Sequence, residues 1–269
     1  MLHESASEAW ALRYGAEAPA IDPGLTPFLR HRSVRDFAPH PVPEDTVRGL
    51  FAAAQSAATS SNLQLWSAVS VQDPARREAL AKLAGDQKQV KDCAWFFVFL
   101  ADLFRLERAS RAAGIEPAGL EYAEFTTMAV IDASLAAERM VCAAEAIGLA
   151  ICYIGALRND PEGVAQALKL PHGTFGLFGL CLGHPAAGCA ADIKPRLGQP
   201  AVWFREEYPP APDVSEYDVR MKAFYLAQGM KGDFSWSARS GRRADGSPKQ
   251  MGGRAGQRAW LESRGFSRK

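Results

Sequence analysis

A chain of 269 residues that is 48% hydrophobic and 23% charged, with 23 Gly and 17 Pro, has the makeup of a globular protein. Disordered, collagen-like and small disulfide-stapled classes are excluded. A formal charge of +1 gives no general pull toward nucleic acid or an acidic membrane. Ten Lys/Arg against three Asp/Glu from Gly229 to Lys269 nevertheless make the tail locally basic.

The five cysteines (Cys93, Cys142, Cys152, Cys181, Cys189) form an odd set without a C-x-x-C pair. Four sit in apolar runs and read as reduced core thiols, and no Cys/His spacing suits zinc, so no metal is expected. No secretory signal is legible, and no apolar run approaches the ~20 residues of a membrane span. A cytoplasmic protein without membrane or nucleic-acid partners is expected.

In chain order, Leu2–Tyr14 has weak helical periodicity, and Pro19, Pro23 and Gly24 close it off. After the helix-incompatible Pro39–Pro43, Glu44-Asp45-Thr46 opens a helix with carboxylates at its positive end. Trp66–Val71 reads as a strand and Pro74–Ala84 as a helix ended by Gly85. The run Ala94–Ala101 is apolar on both faces, which predicts a central strand covered on both sides. Leu120–Ile147 is the longest predicted helix. It is apolar on nearly every face, which predicts burial all round, in the middle of the domain or at a subunit interface.

Leu149–Ile154 and Gly176–Gly183 read as further strands around a short helix at Asn159–Leu170. From Lys194 the chain is Pro-rich and extended. Helices are expected at Val214–Ala227 and Gln257–Ser263, with the Gly/Ser/Arg-rich stretch Gly232–Gly256 between them expected to be a mobile loop. Long helices interleaved with a few short strands predict an α+β fold.

The sequence lacks a G-x-G-x-x-G opening a helix, a P-loop, H-E-x-x-H, G-x-S-x-G and motif-spaced carboxylate pairs. Without an evident acid, base or nucleophile, either a cofactor carries the chemistry or the protein is not an enzyme. In His31-Arg32-Ser33-Val34-Arg35, cationic groups and a hydroxyl lie within five residues. Such groups suit a phosphate, and they also suit a solvated basic turn. Lys194-Pro195-Arg196 is a second cationic pair, with both side chains on one face of an extended segment. Gly155 in Tyr153-Ile154-Gly155-Ala156 could let a planar ligand approach the backbone, or simply make a turn. Gly85-Asp86-Gln87-Lys88 is a polar loop.

Taken in order, His31–Phe37, Thr59-Ser60-Ser61-Asn62-Leu63-Gln64, Gly85–Lys88, Tyr153–Asn159, Leu177–Gly183 and Lys194–Leu197 resemble the flavin-dependent nitroreductases. The nearest branch is the oxygen-insensitive NADPH nitroreductases with their flavin reductase relatives. The resemblance is strong from Pro27 to Gly198 and thin to Phe266. It implies an α+β fold of nitroreductase type, with a small, mostly antiparallel sheet, a long dimer-interface helix and an extended C-terminal arm. Residues 1–26 would be an extension and 27–200 the FMN-binding core. Residues 201–269 would wrap the partner subunit as part of the same domain.

The resemblance further implies a homodimer with FMN at its interface. His31, Arg32, Ser33, Lys194 and Arg196 would hold the phosphate and ribityl chain. Arg35 would lie at the N1–carbonyl edge of the ring and Gln87 at its pyrimidine end. Tyr153, Ile154, Gly155 and Ala156 would lie against the ring, and Thr59, Ser60, Ser61 and Asn62 would come from the other subunit. No side chain is assigned a catalytic role, since flavin N5 would take hydride from NADPH or NADH and reduce a nitroaromatic, a quinone or free flavin. Asn62 replaces an aromatic residue of relatives, and Gln228 replaces an arginine thought to grip the NADPH 2′-phosphate, leaving Lys231 as the nearby cation. Arg254 matches an arginine facing the substrate pocket. The alternatives are a flavin reductase that supplies reduced FMN and a non-catalytic flavin binder.

Overall fold

The structure, a computed structural model, describes residues 4–189, 191–211, 213–232 and 234–269. In chain order its elements are α1 (Ala6–Tyr14), α2 (Thr26–Leu29), α3 (Glu44–Gln55), β1 (Trp66–Val71), α4 (Pro74–Leu83), α5 (Lys88–Asp92), β2 (Trp95–Asp102), α6 (Phe104–Ala112), α7 (Ala123–Ala146), β3 (Ala150–Ile154), α8 (Pro161–Leu168), β4 (Thr174–Gly183), α9 (Ser215–Ala227), α10 (Trp236–Arg243), α11 (Pro248–Met251) and α12 (Gln257–Ser263). The chain divides into two compact units. One comprises Met1–Arg32 and Ala191–Met251, the other Ser33–Ala190 and Gly252–Lys269.

The second unit is built on a four-stranded sheet in the order β1-β2-β4-β3, antiparallel at every pairing. Alternation along β2 explains its double-sided hydrophobicity. Phe97 and Phe99 pack with Leu50 and Ala54 of α3 and Ala136, Met140 and Val141 of α7. Phe96, Val98 and Leu100 point the other way, into Leu80 and Ala81 of α4, Val90 of α5 and Val164 of α8. Helices cover both faces, as the unbroken apolar run of β2 predicts.

The long helix α7 starts three residues later than expected, behind a 3-10 turn at Ala118–Glu121. Its predicted all-round burial does not hold within the chain. Ala129, Ala133, Ala136, Ala137, Met140, Val141 and Ala144 face the core, while Val130, Ile131 and Leu135 are 38–45% exposed. Small residues let the inner face approach the sheet closely, and the larger apolar residues are left outside. From the expected arm, Gly252–Lys269 belongs to this unit, where Phe266 is fully buried with Phe175 and Leu177.

In the first unit, α1 forms despite weak periodicity because its ends are well capped. Ser5 Oγ accepts from Glu8 N at 3.2 Å, while Ser5 N donates to Glu8 Oε2 at 2.7 Å. Gly15, at φ +68°, closes the helix in the left-handed region. Residues 2 and 3 of the expected helix lie outside the described residues.

The expectation of a mobile loop over Gly232–Gly256 is corrected. Apart from residue 233, which is outside the described residues, the stretch contains α10, α11 and a 3-10 turn at Gly252–Gly256. Aromatic and charge contacts order it. Trp236 packs on Tyr217 at 5.7 Å, the Arg239 guanidinium lies 4.8 Å from the Tyr225 ring, and Ser237 N donates to Asp218 Oδ1 at 2.7 Å.

Candidate functional site

The first unit contains both cationic clusters, His31-Arg32 and Lys194-Pro195-Arg196. Arg32 is buried, its Nε donating to Arg30 O and its Nη1 to Ala191 O, each at 3.2 Å. Its Nη2 is ion-paired with Glu4 Oε2 at 3.0 Å, both atoms being buried. Lys194 Nζ lies 5.8 Å from the centre of the Tyr225 ring. Tyr217 donates to Pro195 O at 3.1 Å and so holds the proline between the two cations. Burial raises the Tyr217 phenol, and nearby Arg196 opposes that shift. Lys231, also in this unit, is exposed. Gln228 is hydrogen-bonded to Asp192 through its amide nitrogen.

The second unit holds the remaining candidates, Ser33 and Arg35 among them. Val34 N donates to Ile151 O at 2.9 Å, and Ser33 bridges Ile151 in parallel. This short pairing lays the segment along β3 and carries Arg35 beside Cys152. Burial pushes the Cys152 thiol up, and the Arg35 guanidinium pulls in the opposite direction. Arg35 and the exit of β3, Tyr153–Ala156, are therefore brought together.

Tyr153 turns its phenol toward α7, donating to Glu138 Oε2 at 3.2 Å, with its ring edge-on to Phe178 at 5.3 Å. Burial, reinforced by Glu138, holds its proton far above the usual phenol range. Ile154 is fully buried, while Gly155 and Ala156 begin a 3-10 turn that runs to Asn159. Gln87 precedes α5, with Nε2 donating to Ala84 O at 3.0 Å and Oε1 accepting from Gln89 Nε2 at 2.7 Å.

Arg254 meets the same turn, its Nε donating to Asn159 Oδ1 at 2.8 Å and its Nη2 to Gly155 O at 3.3 Å. The preceding Gly253 permits this approach. A Cβ there would fall 2.0 Å from Asn159 O, so only glycine fits.

Thr59–Asn62 lies in a tight connection ahead of β1, where Ser61, Asn62 and Gln64 all have φ near +50°. Left-handed conformations at three non-glycine residues require external support. The fully buried Asp132 of α7 supplies it, accepting from Ser60 N at 2.8 Å and Leu65 N at 3.0 Å. The hydrogen bonds of this loop thus run to α7, while its exposed tip presents Ser61 and Asn62.

Two residues that organise these groups were missed by sequence reasoning. Asp132 had a signal, being the single charge inside the apolar run Met128–Ala137, since a lone buried carboxylate demands donors. Arg13 had none, because its partners lie in distant segments.

The nitroreductase family model matches residues 29–184, and the model of that family's C-terminal domain matches residues 194–269. The FMN reductase (NADPH) of Bacillus subtilis (strain 168) is 37% identical over 217 residues, which cover 78% of this chain and 86% of that protein. The oxygen-insensitive NADPH nitroreductase of Salmonella typhimurium is 38% identical over 212 residues, covering 78% and 85%. Among solved structures, a nitroreductase from B. subtilis superposes with a TM-score of 0.83 at 33% identity, over 90% of this chain and 98% of that one. The NADPH:FMN oxidoreductase from Vibrio harveyi, solved with NAD+, gives 0.79 at 31% identity over the same shares.

Proposed function

Because the chain belongs to the nitroreductase family, we infer that it is an NAD(P)H-dependent oxidoreductase that holds FMN through the residues described above. The donor set fits that group. Arg32, Lys194 and Arg196 offer a phosphate dianion cationic donors and His31 adds an imidazole, while the Arg32 guanidinium is already shared with Glu4 at 3.0 Å and two backbone carbonyls. Ser33 adds a hydroxyl. FMN supplies two-electron hydride chemistry between a nicotinamide and an oxidant.

The protein's own residues position and polarise. Arg35, held along β3, provides fixed positive charge for the N1–carbonyl edge of the ring. Gln87 offers amide groups to the pyrimidine end, and the turn beginning at Gly155 offers backbone to the ring face. Arg254 braces that turn and lies on the substrate side. No side chain is assigned as acid or base, and protons come from water.

The electron acceptor is a nitroaromatic or a quinone. A specific observation also favours free flavin as acceptor, since the B. subtilis relative is an FMN reductase. Both donors, NADPH and NADH, are accommodated in the proposal. Gln228 is engaged by Asp192, which leaves Lys231 as the cation for a 2′-phosphate.

The proposed assembly is a homodimer in the cytoplasm. The exposed apolar face of α7 supports it, because Val130, Ile131 and Leu135 present a stripe that a second copy would cover. The loop Thr59–Asn62 would then serve the partner's flavin, and the segment after residue 200 would reach toward the partner. Within the described residues no helix is long and apolar enough to cross a membrane.

The observation that carries the reading is the match of both family segments to a chain whose cationic clusters, distant in sequence, fall in one compact unit. Steady-state assays with NADPH and NADH against a nitroaromatic, a quinone and free FMN test it. Turnover with any of these acceptors supports the reading. Failure of all three in FMN-loaded protein would leave only a flavin binder.

A further inference from the structure

Arg13 lies ahead of the segment matched to the family, which begins at residue 29, yet it sits at the centre of the first unit. It is a buried arginine, 7% exposed, in the last turn of α1. Its Nη2 donates to Leu29 O at 2.7 Å and His31 O at 3.1 Å, fixing the backbone that enters His31-Arg32. Its own carbonyl accepts from Arg196 N at 2.9 Å and from Arg220 Nη1 at 3.0 Å, fixing the backbone at the second cationic pair. One residue therefore ties both clusters to a single helix end. Arg32 Nη1 adds a parallel tie to Ala191 O, 159 residues away in sequence.

This arrangement has an electrostatic cost. Arg13, Arg32, Arg196 and Arg220 all belong to this unit, with the carboxylates of Glu4 and Glu216 lying 3.0 Å from Arg32 and 4.0 Å from Arg220. Four arginines against two carboxylates leave a positive balance that favours a nearby anion. Each tie acts on backbone atoms, so what it sets is the spacing and direction of the neighbouring cationic side chains.

We propose that Arg13, supplied by the N-terminal extension, is a positioning residue for the phosphate end of FMN, setting the spacing between His31-Arg32 and Lys194-Arg196. This rests on the reading that those four residues hold the phosphate. The extension is thereby part of the cofactor-binding machinery.

The test compares two ligands that differ only in the phosphate. Full-length apoprotein carrying Arg13→Met is titrated with FMN and with riboflavin, following quenching of flavin fluorescence, with circular dichroism to establish folding. The expected result is FMN affinity about 10- to 100-fold weaker and riboflavin affinity unchanged. Equal losses for both ligands would show a merely structural role and overturn the proposal, as would unchanged FMN affinity.

If Arg13→Met does not fold, Arg13→Lys carries the same comparison. Its ammonium keeps donors for both carbonyls but lacks the planar guanidinium that fixes their direction, so the selective FMN loss shrinks to about threefold to tenfold. Equal effects on both flavins, or none, again overturn the proposal. Lys194→Ala combined with Arg196→Ala separates the two levels of inference. If that double variant binds FMN like the parent, the phosphate assignment itself fails and takes the role of Arg13 with it. If the double variant loses FMN while the Arg13 variants do not, the positioning role alone is wrong.

Discussion

Replacing Asp132 should loosen the Thr59–Leu65 connection more than any exposed substitution within it. The carboxylate is fully buried and accepts from two backbone donors, Ser60 N and Leu65 N. Asp132→Ala leaves both donors without a partner. At roughly 1–3 kcal/mol for each unsatisfied group, with the part-buried Ser60 N at the low end, the loss is about 2–4 kcal/mol. Asp132→Asn keeps the shape and one accepting oxygen but turns an amide NH2 toward the other donor, for about 1.5–3 kcal/mol.

Urea unfolding gives these differences, and amide hydrogen exchange locates them. Protection should fall at Ser60 and Leu65 before it falls in β2, whose neighbours on both sides are intact. The left-handed residues Ser61, Asn62 and Gln64 then relax, and activity falls with the geometry of the exposed tip. An Asp132→Asn protein within ~0.5 kcal/mol of the parent, with unchanged exchange at Ser60 and Leu65, would refute the argument that this side chain holds the loop.

Three further outcomes follow. Arg35→Ala should slow bleaching of bound flavin by NADPH while FMN content stays near that of the parent, and anaerobic stopped-flow measures it; an unchanged rate removes Arg35 from the ring edge. Gly253→Ala should displace Arg254 from Gly155 and Asn159, because the new Cβ would sit 2.0 Å from Asn159 O; a raised KM for the acceptor in a folded protein is the expected readout. Tyr153 keeps its proton above the ordinary phenol pKa of about 10 because it is buried and faces Glu138. The native state then binds more protons than the unfolded state above ~pH 10, so this contribution to stability is complete below that pH and declines progressively as pH rises above it toward the raised folded-state value. In Tyr153→Phe this alkaline decline should flatten, and urea unfolding at ~pH 8 and ~pH 11 tests it, identical slopes in both proteins being the contrary result.

The strands were legible because their partners are strands and helices of the same hydrophobic pattern. β1 begins and ends where the sequence predicts, and β2 is covered on both faces as its double-sided composition requires. The long helix shows where composition misleads. Ala-rich and Leu/Ile-rich faces are both apolar, but it is a mostly alanine face of α7, with Met140 and Val141, that packs against the sheet, while Ile131 and Leu135 remain outside.

The order in Trp236–Arg243 was hidden for another reason. Gly, Ser and Arg score as loop formers, whereas the contacts that organise this segment are Arg239 and Trp236 on aromatic rings of α9. Among the candidate site residues, the short motifs were visible as motifs. The partners of their supports were not, although Asp132 itself stood out as a lone charge in an apolar run. Arg13 reaches 16 and 18 residues forward, Arg220 returns to it across 207, and Asp132 reaches back 72. Pairings of that kind leave no periodic trace.

The chain should carry a flavin reducible by a nicotinamide. Apoprotein should be mixed with excess FMN, passed through a desalting column, and titrated with NADPH under nitrogen while its visible absorbance is recorded. Retention of about one flavin per chain, with stoichiometric loss of the yellow band, is the result expected of a bound, redox-active prosthetic group. Colourless protein emerging from the column, or a yellow band indifferent to both NADPH and NADH, would contradict it.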